Sequence, residues 1–244
     1  MTIVYFDCSS GISANMVLAA LVDAGADPEA LRSWVATLPL GPLDLDISEV
    51  DRGGLRARQV TVRPRRDDPR RVLADVEAVL GDGVLSHAAR DFAVRVYQHL
   101  AEAEARVHGS TPTEVMFHEV GSAAAIVAVA GTALALDLLG IDRVVASPVA
   151  TGTGTVRTEH GVLPVPTPAT LELLKGVPVE SREVAAELVT PTGAAILAAA
   201  AKAYGPMPPM TPEAVGYGAG PHLLPFPNVL RAVVGRSLGS DGRS

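Results

Sequence analysis

Glu104, His108, His118 and Glu119 are the side chains whose types and spacing could do chemistry together. Glu104 and His108 stand four residues apart in a stretch with helical apolar spacing, so both project from one helix face. His118 and Glu119 follow a connection short enough to fold back on that face. Carboxylates and imidazoles gathered in this way suit coordination of a transition metal or transfer of a proton. A simple surface contact between Glu104 and His108 is the plainer reading of that pair. Two further segments could present backbone donors to an anion. Asp7-Cys8-Ser9-Ser10-Gly11 lies between a strand-like and a helix-like run, so Ser9, Ser10 and Gly11 would aim N–H groups from the helix start. Thr151-Gly152-Thr153-Gly154-Thr155 could cradle an anion through Thr153 and Gly154. It lacks the ending of a P-loop, and a tight strand connection explains its glycines equally well. Cys8, beside Asp7, reads as an inert, part-buried thiol.

The elements that must position these groups can be traced from periodicity. Ile3 to Phe6 reads as a strand, and Met16, Ala19, Ala20 and Ala24 mark a helix after the first loop. Leu43, Leu45 and Ile47 alternate with polar residues, as do Val60 and Val62, and Arg52-Gly53-Gly54 lies between them, which predicts a β-hairpin. Arginines cluster from Arg52 to Arg71, and a solvated hairpin face explains them more simply than a phosphate or partner site. Ala89, Phe92, Ala93, Val96, Leu100, Ala103 and Val107 recur at three- and four-residue steps, predicting a long helix capped by Ser86 and ended by Gly109. Ala123 to Leu139 reads as a buried helix. A strand at Val144 to Val149, a hairpin across Glu159-His160-Gly161 and a helix from Thr167 to Lys175 follow. Thr190-Pro191 opens another helix. The tail alternates turn signals, from Gly205-Pro206 to Gly220-Pro221, before a last strand near Val229 to Val234.

Hairpins interleaved with helices point to an α+β fold, with mixed, hairpin-containing sheets packed by helices. A ferredoxin-like sub-order of strand, helix, hairpin and helix fits the first eighty residues. Residues 1–237 read as one unit, which two subdomains at about 1–82 and 83–237 would also fit, and 238–244 as a flexible tail.

With 244 residues, the chain can bury one generous core or two modest ones. Hydrophobic residues at 48% and charged residues at 19% exclude a disordered chain. Aromatic residues at 4% and a net charge of −7 argue against nucleic acid as partner. A single cysteine excludes a disulfide framework and suits a reducing compartment. The N-terminus has no signal-peptide pattern, and no run of about 18 residues has membrane-span character. A cytoplasmic protein that meets small molecules, away from membranes, is expected, and its Ala-rich surface leaves room for a homo-oligomer.

Six strings extend this reading: Asp7 to Ser13, Ala101 to Gly109, Phe117-His118-Glu119-Val120-Gly121, His160-Gly161-Val162-Leu163-Pro164-Val165-Pro166, Leu188-Val189-Thr190-Pro191-Thr192-Gly193 and Gly216-Tyr217-Gly218-Ala219-Gly220. Their order and spacing resemble the N-terminal region of the LarC family. The resemblance implies a lyase-like role in nickel insertion into a pyridinium bisthiocarboxylate mononucleotide, with nickel and CTP taking part and CTP use lying in a C-terminal domain. That domain would come from a separate subunit here. The resemblance also places His160, Thr190 and Thr192 with Ser9, Ser10, Gly11, Thr153 and Gly154 around the bound molecule. The family pattern is broken where it expects Gly-Asp-Met and this chain has Ala14-Asn15-Met16. Met116 stands for a histidine, and Ala124 and Ala128 stand for aspartates. Loss of these donors implies that the chain supplies no metal ligand and opens an alternative, a repurposed metal-independent enzyme of lyase, cyclase or isomerase type acting on another small molecule, as in natural-product biosynthesis. Its acid–base groups would be His118, Glu119, Glu104, His108 and Asp7. A non-catalytic binding or scaffold protein is the third reading.

Overall fold

The computed structural model describes residues 1–66 and 68–238. Apart from Leu238, the expected tail lies outside the described residues.

The chain begins with β1 (Thr2–Asp7), α1 (Ala14–Asp23) and α2 (Pro28–Val35), followed by the hairpin β2 (Leu43–Arg52) and β3 (Leu55–Pro64). Helices α3 (Leu73–Asp82), α4 (His87–His108) and α5 (Ala123–Leu138) come next, with a single 3-10 turn (Glu119–Gly121) before α5. Short strands β4 (Arg143–Ala146) and β5 (Val149–Thr153) lead to the hairpin β6 (Thr155–Thr158) and β7 (Gly161–Pro164), then α6 (Pro168–Leu173). The remainder is β8 (Val179–Ala185), α7 (Pro191–Ala200), β9 (Ala201–Tyr204), β10 (Met210–Ala219) and β11 (Val229–Ser237).

Seven strands form the main sheet in the order β2-β3-β10-β11-β1-β4-β9. β1 pairs antiparallel with β11 and parallel with β4, so strands from both halves of the chain share one ladder. This is the α+β architecture expected. The strand, helix, hairpin and helix order of a ferredoxin-like unit is present along the chain, but β10 and β11 separate β3 from β1 in the sheet. β5 with β8 and β6 with β7 form two small separate sheets.

Alternation along β1 divides the apolar residues between the sheet faces: Val4 and Phe6 join the main core with α1, α4, α5 and α7, whereas Ile3 and Tyr5 belong to a small cluster with Val145 and Val233. α5 is apolar on nearly every side because it lies between α1 and α4, which explains its Ala-rich sequence. α1 rests directly on β10. A Cβ at Gly218 would stand 1.9 Å from the Met16 carbonyl oxygen, and one at Gly216 would stand 2.0 Å from that of Ala20, so the Gly-Tyr-Gly string is a backbone contact surface.

The long helix starts and stops where its signals predict. Ser86 Oγ accepts from the Ala89 N–H at 3.1 Å, and Gly109 closes the helix with φ +64. β10 occupies a segment whose Gly and Pro residues read as turns. Pro212 is tolerated because the ladder shifts register between Pro212 and Ala214. The expected strand from Val144 to Val149 divides into β4 and β5 around Ser147-Pro148, since Pro148 has no N–H to give.

Candidate functional site

A cavity of about 580 Å³ opens between the end of α4, the 3-10 turn, the β6–β7 hairpin and the starts of α5, α6 and α7. Its wall includes Glu104, His108, His118, Glu119, His160, Thr190 and Thr192. Seven of the thirteen residues expected to act together are therefore neighbours.

Each side chain is held by its local structure. The last turn of α4 presents Glu104 and His108, whose Nε2 stands 3.4 Å from a Glu104 carboxylate oxygen. The chain then folds back, and Phe117 is locked in the core by an N–H donated to the Arg71 carbonyl at 2.9 Å and by its ring against Tyr97 at 5.8 Å. His118 follows directly and so faces the cavity from a rigid base. A Cβ at Gly121 would lie 2.6 Å from that of Phe117, which accounts for the small residue in the Phe-His-Glu-Val-Gly string. Buried Arg71 completes the support, with Nη1 donating to Asp68 at 2.7 Å and to the Gly121 carbonyl at 2.8 Å.

His160 arrives from the other side, at the tip of the β6–β7 hairpin. Thr158 Oγ1 accepts from the His160 N–H, Glu119 Oε1 accepts from the Glu159 N–H at 3.1 Å, and Arg70 pairs with the Glu159 carboxylate at 2.6 Å. Glu119 is thus a fastener for the hairpin as well as a cavity group. The three imidazole rings meet as a result. Ring centroids are 4.4 Å apart for His118 and His160, 4.8 Å for His108 and His160, and 5.6 Å for His108 and His118. One ring nitrogen from each lies within 4.8 Å of the others. On a metal with bonds of about 2.1 Å, donor atoms sit roughly 3 to 3.5 Å apart, so modest side-chain closure would let all three reach one ion. Imidazole is a suitable donor for nickel, zinc, copper and iron.

Burial raises the pKa of the Glu104 carboxyl, with His160 opposing and Glu119 adding to the rise. Burial, followed by His160, holds the His118 imidazole below its usual range, while Glu159 opposes. That favours the neutral ring, the form that coordinates metal. Glu187 is pushed to about 7 by burial first and Glu119 second.

Thr190 caps α7, accepting from the Gly193 N–H at 3.2 Å, and its hydroxyl lies 3.1 Å from that of Thr192. The other expected residues serve the framework. Asp7 pairs with Arg231 at 2.6 Å, Ser9 donates its N–H to Asp7, and Ser10 donates its hydroxyl to the Pro227 carbonyl. Gly11 has φ +90, and a Cβ there would meet the Leu188 carbonyl oxygen at 2.0 Å. Thr153 donates to the Val184 carbonyl, and Gly154 has φ +85 where the chain enters β6. None of these six lines the cavity. Burial pushes the Cys8 thiol far up, as an inert thiol requires.

Among the substituted positions, Asn15 and Ala124 line the cavity. Asn15 is turned to donate to the Val60 carbonyl at 3.0 Å. Ala128 is buried in the core and Met116 is exposed. The arginine cluster is largely occupied: Arg56 and Arg58 pair with Asp23, and Arg65 pairs with Asp44. Sequence reasoning missed Arg157 and Glu187, both in the cavity wall. Their only sequence signal is proximity, since one precedes the His160 turn by three residues and the other precedes Thr190 by three.

Fold and cavity define the class: an α+β protein with an open cavity that carries three imidazoles on one wall. The profile of the nickel insertion protein family matches residues 4–243, and the chain belongs to that family. A protein of Desulfitobacterium hafniense named pyridinium-3,5-bisthiocarboxylic acid mononucleotide nickel insertion protein is 43% identical over 241 residues, covering 99% of this chain and 60% of that protein. A putative nickel insertion protein of Geotalea daltonii is 44% identical over 240 residues, covering 97% and 62%. Another, from Geotalea uraniireducens, is 46% identical over 239 residues, covering 96% and 61%. The chain therefore spans about three fifths of the length of these relatives. No solved structure matches it. Among the described residues, no helix is long and apolar enough to cross a membrane.

Proposed function

We propose that this chain holds a pyridinium mononucleotide and nickel side by side and brings the metal to the ring's sulfur donors, the insertion step in making a nickel-pincer cofactor. The observation that carries this reading is the meeting of His108, His118 and His160 from three separate segments at one wall of the cavity. Nickel is the cargo. Imidazole nitrogens hold it well enough to load and weakly enough to yield it to softer thiocarboxylate sulfur. In the exchange the two thiocarboxylate sulfurs replace two nickel–nitrogen bonds, water takes the third position as the last imidazole lets go, every imidazole leaves as the neutral ring, and the metal stays nickel(II).

The electrostatics suit an anionic tail. Ser122 at the start of α5 and Thr190 and Pro191 at the start of α7 line the cavity, so two helix N-termini open on it. The Arg157 side chain, also in the wall, has no hydrogen bond or ion pair among the described residues. A ribose phosphate would find its donors there. This reading leaves CTP use and any lyase-type step to a further domain or a separate subunit. A cytoplasmic setting suits the buried, unpaired Cys8 thiol.

The test is transfer. Chain loaded with one equivalent of nickel is mixed with pyridinium-3,5-bisthiocarboxylic acid mononucleotide, together with the remaining domain and CTP, and nickel–sulfur charge-transfer absorbance is followed. The reading expects transfer that His118→Ala and His160→Ala abolish, and transfer unaffected by both would refute it. The apolar part of the wall, Val120, Ala124, Ala125, Val156 and Leu163, favours the alternative of a metal-independent enzyme. That alternative predicts turnover unchanged by a nickel chelator.

A further inference from the structure

We propose that Glu187 is a specificity residue, the counter-charge by which the cavity selects a ligand with a cationic aromatic ring. This rests on the reading of the cavity as a mononucleotide site and adds what part of the ligand is recognised, and by which side chain.

Backbone contacts hold Glu187 in place. It stands just before Leu188, whose carbonyl accepts the Ile12 N–H at 2.8 Å, and the Thr190 N–H returns to the Ile12 carbonyl at 3.1 Å. Ile12 and Val189 form an isolated parallel bridge. The segment is therefore fixed to the loop between β1 and α1, and the Glu187 side chain forms part of the cavity wall. The other two carboxylates of that wall are engaged, Glu104 with His108 and Glu119 with the Glu159 N–H. Among the described residues the Glu187 carboxylate has neither a hydrogen bond nor an ion pair, and the one charged group that perturbs it is another acid, Glu119.

A half-buried carboxylate with no partner in the protein gains from a cation delivered to it. Two kinds of cation could come. A metal ion is served by the imidazoles, and Glu187 is not among the donors that converge there. An organic cation remains, and the apolar side chains Val156 and Leu163 on the wall suit the faces of a flat ring. A ring whose positive charge is spread over aromatic atoms fits both the charge and the lining. The Desulfitobacterium hafniense relative is named for a pyridinium mononucleotide, whose ring has that character.

The experiment compares two probes by titration calorimetry on the full chain: 3,5-dicarboxypyridinium ribose 5′-monophosphate and its neutral-ring counterpart, 3,5-dicarboxyphenyl C-riboside 5′-monophosphate. The intact protein is expected to bind the cationic ring about ten-fold more tightly, as one such charge contact allows. Glu187→Gln should reduce that preference to within about two-fold, while Glu187→Asp keeps most of it. Glu187→Gln removes a charge that has no partner in the protein and Glu187→Asp keeps a smaller carboxylate there, so both variants should fold, which a thermal melt checks. Equal binding of the two rings by the intact protein, or a preference that survives Glu187→Gln, overturns the inference while leaving the mononucleotide site standing. If neither probe binds a chain that still takes up nickel, the inference and the mononucleotide reading fall together.

Discussion

Replacing Glu187 by Gln should stabilise the protein at alkaline pH and leave it nearly unchanged in acid. Burial and Glu119 raise this carboxyl from its ordinary 4.5 to about 7, so the folded chain keeps a proton that the unfolded chain releases. Between these values the unfolded state gains relative to the folded one as pH rises, and the loss is complete above about pH 7. A rise of roughly 2.5 units corresponds to at most about 3.4 kcal/mol. Water in the cavity reduces that, and about 1–3 kcal/mol is the expected gain for Glu187→Gln at pH 8. At pH 4.5 the gain should fall below about 0.5 kcal/mol. Urea unfolding of both proteins at the two pH values measures it, since titrations common to both largely cancel in the difference. A stability difference equal at pH 4.5 and pH 8 would show that Glu187 is not an unpaired buried acid.

Gly218→Ala should cost about 3 kcal/mol or more, because its Cβ would stand 1.9 Å from the Met16 carbonyl oxygen and α1 would have to lift off β10. Gly140→Ala, with φ +59 and open space around it, should cost only about 1–2 kcal/mol, so thermal melts of the pair separate close packing from backbone strain. Thr190→Ala should lose about 1 kcal/mol through the missing cap on α7, and Thr190→Ser should restore it. Glu119→Ala with Arg70→Ala removes both fasteners of the β6–β7 hairpin, and amide exchange at Glu159 and His160 should rise by on the order of ten-fold or more.

Local signals carried well from sequence to structure where the cause is local. Ser86 and Gly109 delimit α4 because capping depends on a few adjacent residues, and Glu104 and His108 share a face because helical period fixes it. The hairpin of β2 and β3 was legible for the same reason, with its Gly53-Gly54 turn at positive φ. What sequence could not give was long-range pairing. β10 and β11 enter the sheet between β3 and β1, a choice made by the fit of Gly216 and Gly218 against α1 rather than by nearby residues. The same limit explains the site. Chain spacing alone brings His108 and His118 together, but His160 meets them only because Glu119 and Arg70 tie down a hairpin tip about forty residues further along. Substitutions at Met116 and Ala128 weigh less on the cavity than their pattern suggests, since one is exposed and the other lies in the core. Glu187 has no periodicity or motif to mark it, and its character comes from partial burial beside Glu119 with no partner of opposite charge.

Calorimetric titration of nickel into the metal-free chain, alongside His108→Ala, His118→Ala and His160→Ala, bears most directly on the imidazole cluster. One nickel per chain, with affinity reduced at least ten-fold by each single replacement, is the expected result. Absence of binding by the intact chain, or tight binding indifferent to His160→Ala, would contradict it.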